Sequence, residues 1–442
     1  MPSPNSEPAR RSKLTSARFS PLIAFVTLVA LLLIARVEVR AQEWHYDYPL
    51  LSLRDPTRAL FLYAEQERRV VQSGLVPRWL DVTCAACDAP SVAKRWSELS
   101  EEYLRYHREG YRRRDESARW VKAASAISLA GWGKREDIQT AIELFNNGTL
   151  PDYLSARAEG FARDDAELER KRVVRAGRSR LIEISIRIAF ILFALAAAVG
   201  WKFRFGGLRP FGRAALAAPS LGRGLVIFVW AEGFVAVLHR LYWANPGSPL
   251  EIFRVLPSLA LTIAVSALLL GTRSKPSDRP IGRLLRCPTD PRRLRHFWVG
   301  ALASVGVIYG FDWLHSGMLS RIGILPNWSD GVRETVMYGS LGRALLSQFS
   351  AIVLAPFAEE LTFRGVLFGS LATRMSPHRA ALISSIVFAA THGYGWAGFT
   401  TVALAGYLWA RLAERFGSLV PGMLAHGTLN LIIGIFRFAA RA

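Results

Sequence analysis

Two adjacent glutamates and an arginine interrupt an otherwise apolar stretch of the chain, LLSQFSAIVLAPFAEELTFRGVLFGSLA. An ionised side chain at the centre of a membrane helix costs roughly 2.5 to 3.5 kcal/mol on insertion scales, so all three need partners. Arg364 follows Glu360 by four residues, so the two share one helix face and can pair, if only for stability. Glu359 points about 100° away from Glu360, and its partner must come from another helix.

Two later apolar segments offer such partners. Phe388 and His392 are four residues apart in IVFAATHGYGW, and His426 and Asn430 are four apart in GMLAHGTLNLIIG. A single histidine in a helix is more often a packing residue than a functional one. Two histidines, an asparagine and a carboxylate on three membrane helices must all face the bundle interior to avoid lipid. The pattern predicts one shared polar site.

These residue types suit hydrolysis of a peptide bond within the membrane. Two imidazoles and a carboxylate form either a zinc site with an open water position or a metal-free general-base arrangement, and both alternatives stay open. In either case Glu359 would bind or activate a water molecule beside the substrate carbonyl. Asn430 could then donate a hydrogen bond to the developing oxyanion.

The three short segments EELTFR, FAATH and HGTLN resemble the EExxxR, FxxxH and HxxxN motifs of the CPBP family. This family contains the CAAX-protease and bacteriocin-processing intramembrane endopeptidases, called Abi in bacteria. The motifs occur in the family's order and on apolar helices, and the resemblance covers roughly residues 300 to 436. It implies a membrane protease core of the eight-helix type.

The resemblance also implies roles for single residues. Glu359 corresponds to the residue that activates water, and His392, His426 and Asn430 correspond to those that complete the site. Supporting roles fall to Glu360, Arg364 and Phe388. The family is commonly described as metalloproteases, which makes Zn²⁺ a candidate cofactor with His392, His426 and Glu359 as its ligands.

The elements that must position these residues are membrane helices. The chain has 442 residues, 51% of them hydrophobic, and from residue 181 its apolar runs approach the roughly 20 residues that span a bilayer. We therefore predict an all-α polytopic fold with about eight transmembrane helices in the C-terminal part. The runs are 181–201, 221–243, 252–272, 297–316, 341–373, 379–394, 396–413 and 418–436.

Basic residues set the predicted orientation. The formal net charge is +21, and the basic residues cluster between apolar runs, which favours contact with the membrane surface and argues against nucleic acid as a partner. The segment 273–296 is the most basic and is predicted to be cytoplasmic, as is 202–220. The segment 42–180 then lies outside, in a bacterial inner membrane. The basic stretch 169–180 disagrees with this orientation.

The N-terminal part divides into a targeting segment and an extramembrane domain. Residues 1–41 combine basic residues with an apolar run, as either a cleaved signal peptide or a signal-anchor does. Residues 42–180 have helix-forming composition and could bind a partner protein. Cys84 and Cys87 in CAAC are more consistent with structural or incidental cysteines than with redox catalysis. Accessory helices with the basic loop (181–296) and a catalytic core (297–442) complete the predicted organisation.

The run 341–373 is too long for one simple span. Its 33 residues would extend about 50 Å as a helix, against a hydrocarbon core of about 30 Å. Pro356 lies in its middle and lacks a backbone donor. We therefore expect a kink or break there, with Glu359 and Glu360 opening a fresh helical segment where the helix dipole favours carboxylates.

Two functions from different classes fit the sequence. The first is an intramembrane endopeptidase that cleaves a membrane-associated protein or peptide. The second is a non-catalytic membrane scaffold, or a bacteriocin-immunity-type protein, in which the polar cluster only holds helices together and the 42–180 segment binds partners.

Overall fold

A computed structural model describes the fold over ten stretches of the chain, and every regular element in them is helical. The all-α prediction is therefore confirmed. The predicted signal or anchor segment 1–41, Cys84 and Cys87 lie outside the described residues, as does most of the run 252–272. The described stretches are 56–81, 88–108, 116–133, 135–147, 150–162, 166–204, 219–244, 259–265, 280–322 and 340–439.

Five short helices form a separate apolar core within the predicted extramembrane segment. Helix α2 shows why: Asp88 caps its start by accepting a hydrogen bond from the Ser91 amide at 2.8 Å, and Val92, Trp96 and Leu99 then recur on one buried face. This face packs against the neighbouring helices. The helices are α1 (Pro56–Ser73), α2 (Ala89–Arg108), α3 (Glu116–Ala130), α4 (Arg135–Asn146) and α5 (Asp152–Ala162).

Helix α6 (Ala166–Arg204) joins this unit to the apolar part of the chain as one 39-residue helix. Its first turn is tied to α1 by Arg68, which contacts Glu169 of α6 at 2.5 Å and Glu65 of its own helix at 2.8 Å. Arg157 of α5 also reaches Glu65, at 3.0 Å. Burial alone would raise the pKa of Glu65, but Arg68 and Arg157 outweigh it and lower that pKa, so the carboxylate stays charged.

The basic stretch 169–180 is partly neutralised by this packing. Arg180 pairs with Glu67 of α1, with Asp81 at 3.3 Å and with Glu183 at 3.0 Å. The charge of Arg180 is therefore paired within the protein, because folding brings three carboxylates to the buried face of this stretch. Such pairing weakens the argument that the stretch must be cytoplasmic.

Seven further helices follow α6 in the described chain, and the short stretch 259–265 is helical as well. Three of the described helices are long and apolar enough to cross a membrane, at Ala166–Gly200, Pro291–Arg321 and Leu341–Ala372. The total of about eight transmembrane helices stays a prediction. The seven helices are α7 (Leu221–Ala244), α8 (Pro280–Leu284), α9 (Pro291–Arg321), α10 (Leu341–Ala372), α11 (Pro377–Ala390), α12 (Trp396–Phe416) and α13 (Val420–Ala439).

Helix α9 connects the two ends of the molecule. It begins at Asp290, whose carboxylate accepts from the amides of Arg292 and Arg293, and it packs along α6. At its far end the Trp313 indole donates to the Leu80 carbonyl of the helical unit at 3.2 Å. The contact with Leu80 and the basic residues that open α9 therefore lie toward opposite ends of this helix.

Of the kink or break expected at Pro356, the break is absent. Helix α10 continues through it, because two π-helical segments, Ser350–Leu354 and Glu360–Phe368, absorb the irregularity on either side. The Ala355 amide bonds to the Ser350 carbonyl five residues back, so the register shifts before the proline. Glu359 and Glu360 consequently lie in the middle of a helix and not at the start of a new one.

Candidate functional site

The innermost part of the site is a buried ion pair on α10. Arg364 Nη1 lies 3.1 Å from Glu360 Oε1, and both residues have 0% exposure. The guanidinium is also held between aromatic rings, with its carbon 4.1 Å from the Phe388 centroid and 5.4 Å from that of Trp409. The pairing at four-residue spacing expected from the sequence is present, and the pair is walled in by apolar groups.

His426 of α13 lies between the two glutamates. Its Nε2 is 3.7 Å from Glu359 Oε2, and its Nδ1 is 3.6 Å from Glu360 Oε1. These separations are too long for direct hydrogen bonds, but they place the imidazole within electrostatic range of both carboxylates. The side chain of Glu359 is 25% exposed, whereas that of Glu360 is fully buried. Two neighbouring carboxylates thus occupy different environments.

Phe388 of α11 lies between the two histidines. Its ring centroid is 4.6 Å from that of His392 and 6.2 Å from that of His426. His392 Nδ1 makes a 2.8 Å hydrogen bond with the Phe388 carbonyl four residues back. If Nδ1 donates, as a carbonyl partner requires, Nε2 is left as an acceptor. His392 lies within electrostatic range of both Glu359 and His426.

Asn430 is one turn beyond His426 on α13 and is bonded across the bundle. Its Nδ2 donates to the Ala351 carbonyl at 2.7 Å. Ala351 belongs to the first π-helical segment of α10, where the changed register alters the helix's own bonding and leaves carbonyl oxygens for other partners. The structure therefore places Asn430 beside the same helix as the glutamates, with one of its two amide protons already engaged.

Three residues of the site are not predicted from the sequence. Trp409 of α12 stacks on His426 at 4.4 Å between centroids and 18° between planes. Gly406 and Gly422 allow close approach, because a Cβ at Gly406 would lie 2.9 Å from Arg364 Nη2 and one at Gly422 would lie 2.8 Å from Glu360 Oε2. The only sequence signal is the spacing of Gly406 and Trp409, three residues apart on one helix face.

The zinc ligands implied by the resemblance are His392, His426 and Glu359. Among the residues that the structure describes, no group of three His, Cys, Asp or Glu side chains is arranged to hold a metal ion. Glu359 and His426 approach each other to 3.7 Å, but a zinc site needs at least three protein ligands about one point. Zinc binding by this cluster therefore stays a prediction.

Two further polar residues of α9 make their contacts away from this cluster. Asp312 of α9 accepts from the Thr401 hydroxyl of α12 at 3.1 Å. His315 stacks on Phe311 at 5.0 Å, with its ring nitrogens 3.4 Å from the Thr400 hydroxyl. These contacts join α9 to α12. They satisfy polar groups without adding to the glutamate and histidine cluster.

Fold and site together define a helical integral membrane protein with a carboxylate and histidine cluster between three of its helices. Residues 342–432, about a fifth of the chain, match the family described as type II CAAX prenyl endopeptidase Rce1-like. The resemblance predicted from the three motifs is thereby confirmed over these residues, which include every motif position. The match supports an intramembrane endopeptidase of the CAAX type in general terms. No curated protein and no solved structure matches the chain.

Proposed function

We propose that this protein hydrolyses a peptide bond of a membrane-associated protein or peptide, with Glu359 as the general base. The observation that carries the proposal is the different exposure of the two glutamates beside one imidazole. Glu360 is fully buried against Arg364, whereas a quarter of the Glu359 side chain is accessible, although its Oε2, which lies 3.7 Å from His426, is buried. A base must reach water, and of these two carboxylates Glu359 alone has accessible surface.

The proposed reaction follows from that geometry. Glu359 takes a proton from a water molecule as the water oxygen bonds to the carbonyl carbon of the scissile peptide. The carbonyl π electrons move to oxygen, which becomes an oxyanion. When the carbon–nitrogen bond breaks, Glu359 returns the proton to the departing amine nitrogen. A carboxylic acid and an amine are released, and Glu359 is again a carboxylate.

The remaining polar groups are proposed to stabilise the charge that develops. His426 can donate a hydrogen bond toward the oxyanion, whereas His392, whose Nδ1 donates to the Phe388 carbonyl, can accept a hydrogen bond through Nε2 and so orient the water. Asn430 donates through one amide proton to the Ala351 carbonyl, which fixes its side chain and leaves the second proton for the substrate. In this scheme Glu360 and Arg364 act by positioning α10.

The substrate is proposed to be a peptide segment at the membrane surface. Prenylated CAAX proteins belong to the eukaryotic branch of the family, and the signal-like N terminus followed by an exported segment argues against that substrate for this chain. Comparing membrane proteomes with and without the Glu359 carboxylate is the experiment that tests both activity and substrate.

Zinc is assigned no step in this scheme, and the described residues include no group of three side chains arranged to hold a metal ion. We expect purified protein and the His392→Ala variant to carry the same amount of metal, measured by elemental mass spectrometry. The matched control is His378→Ala, since this histidine bonds Tyr407 on α12 and is not part of the cluster. One zinc per chain that is lost only in His392→Ala would show instead that the cluster closes around the ion.

The 42–180 segment is proposed to lie on the outer face of a bacterial inner membrane. In its support, α9 carries the basic segment at one end and contacts Leu80 at the other. In a variant with Cys84 and Cys87 changed to serine, an impermeant thiol reagent applied to intact cells should label Lys94→Cys. It should spare the exposed Cys287 of the basic segment. Labelling of Cys287 alone would reverse the orientation.

The second candidate is a non-catalytic membrane scaffold or immunity factor. The observation that favours it is the complete burial of Glu360 and Arg364, which a purely structural network would also show. In that case Glu359 would have no chemical role, and an isosteric replacement there would leave function intact.

A further inference from the structure

An exposed face of α6 carries basic side chains directly above its apolar part. Arg170, Lys171, Arg175 and Arg178 are all exposed, and with Val174 and Ile182 they line a depression in the surface. Lys171, Arg175 and Arg178 follow Arg170 by one, five and eight residues, which places all four on one side of the helix. The face is therefore cationic near the helical unit and apolar farther along.

On the opposite face of α6, the arginines are paired with carboxylates. Arg180 contacts three carboxylates, and Arg187 pairs with Glu183 at 2.5 Å. On the exposed face, Glu167 lies 3.6 Å from Arg170 and 3.5 Å from Lys171. Within the described part of the chain, no carboxylate reaches ion-pair distance of Arg175 or Arg178. Two cationic groups thus have no carboxylate partner among the described residues.

The apolar part of α6 determines where Arg175 and Arg178 lie relative to a bilayer. Residues 181–200 rise about 30 Å as a helix, which equals the hydrocarbon thickness. Their exposed side chains, including Leu181, Leu192 and Val199, suit contact with acyl chains. Arg178 then lies about 5 Å beyond the hydrocarbon edge and Arg175 about 9 Å beyond it, at the level of lipid headgroups.

We propose that this face binds the headgroups of anionic phospholipids, with Arg175 and Arg178 contacting the phosphates and Arg170 and Lys171 strengthening the local positive potential. Guanidinium groups bind phosphate oxygens through paired hydrogen bonds, and long basic side chains reach toward the interface from a helix. A lipid fits better than a free phosphate because the same face continues into acyl-chain contact at Ile182. The inference does not depend on peptidase activity.

The test compares lipid retention on full-length protein by native mass spectrometry. The purified chain is mixed with equal amounts of phosphatidylglycerol and phosphatidylcholine in detergent, and the bound ratio is measured. Roughly fivefold selectivity per charge is expected from about 1 kcal/mol for each basic residue near an anionic surface. In the double variant Arg175→Gln, Arg178→Gln, the bound ratio of phosphatidylglycerol to phosphatidylcholine should therefore fall about 25-fold.

Two matched variants separate charge from structure. Arg175→Lys with Arg178→Lys keeps the charge and should retain most of the preference. Lys94→Gln with Lys122→Gln removes two exposed charges from the helical unit and should change nothing. An unaltered preference in the double glutamine variant would overturn the proposal, as would equal losses in the glutamine and lysine variants. Displacement of the lipid by soluble glycerol phosphate would show a phosphate site without a role for the acyl chains.

Discussion

Glu359→Gln is expected to abolish cleavage while leaving the protein folded and present in the membrane at its normal level. The amide keeps the size of the carboxylate and part of its hydrogen bonding but cannot accept the proton of water. Loss of a general base lowers the rate roughly 10²- to 10⁴-fold. The side chain is already partly exposed beside His426, so neutralising it leaves no unpaired buried charge and folding should be preserved.

The measurement compares new protein N termini in membrane fractions from cells that make the unaltered chain or the variant. Termini created by the protease should disappear with Glu359→Gln and persist with Glu414→Gln. Glu414 is a suitable control because it is a partly exposed glutamate paired with Arg411 on α12. Identical termini with the unaltered chain and Glu359→Gln, at equal protein levels, would favour the scaffold alternative.

Glu360→Gln should behave differently from its neighbour. Glu360 is fully buried and balances Arg364, so its neutralisation leaves a cation without its partner inside the bundle. The expected defect is in stability. The contrast between adjacent glutamates therefore separates the chemical role from the structural one.

The sequence contains most of what places the charged residues. The four-residue spacing of Glu360 and Arg364 is a property of one helix, and the structure keeps their pairing at 3.1 Å. The need of Glu359 for a partner on another helix follows from the cost of a charge in hydrocarbon, and His426 lies beside it. Helical spacing and the cost of burying a charge in hydrocarbon are therefore sufficient to predict these two contacts.

The changes in helical winding could not be predicted in the same way. Apolar periodicity does not distinguish a backbone hydrogen bond to the fourth residue back from one to the fifth. The sequence at Pro356 predicts only a kink or a break. The two π-helical segments keep α10 continuous, with the Ala355 amide bonded to the Ser350 carbonyl. The contact between Asn430 and Ala351 depends on that altered register, so it too lay beyond the sequence.

The aromatic and glycine contacts of the site depend on how separate helices approach each other. A tryptophan in an apolar helix is compatible with any packing role, and only the register of α12 against α13 sets Trp409 on His426. Gly422 matters because α13 passes within contact distance of Glu360, a property of the assembled bundle. Such tertiary approaches leave little trace in one sequence.

Arg364→Met is expected to be the most destabilising of the site substitutions. Removing one partner of a buried ion pair typically costs about 3 to 5 kcal/mol, because the other charge stays buried without compensation. Here the loss is increased by contacts of the guanidinium with the rings of Phe388 and Trp409. The matched control is Arg411→Met, whose pair with Glu414 on α12 is partly exposed and should cost less than about 1 kcal/mol.

The comparison is made by thermal unfolding of the full-length variants in detergent, with the double variant Glu360→Gln, Arg364→Met as a second control. Because the double variant leaves neither charge buried, it should recover part of the stability lost in Arg364→Met. A midpoint for Arg364→Met equal to that of Arg411→Met would mean that the ion pair does not hold α10 in place. A double variant less stable than Arg364→Met would show that the arginine acts through its ring contacts and its shape, so the buried charge of Glu360 would not be the source of the loss.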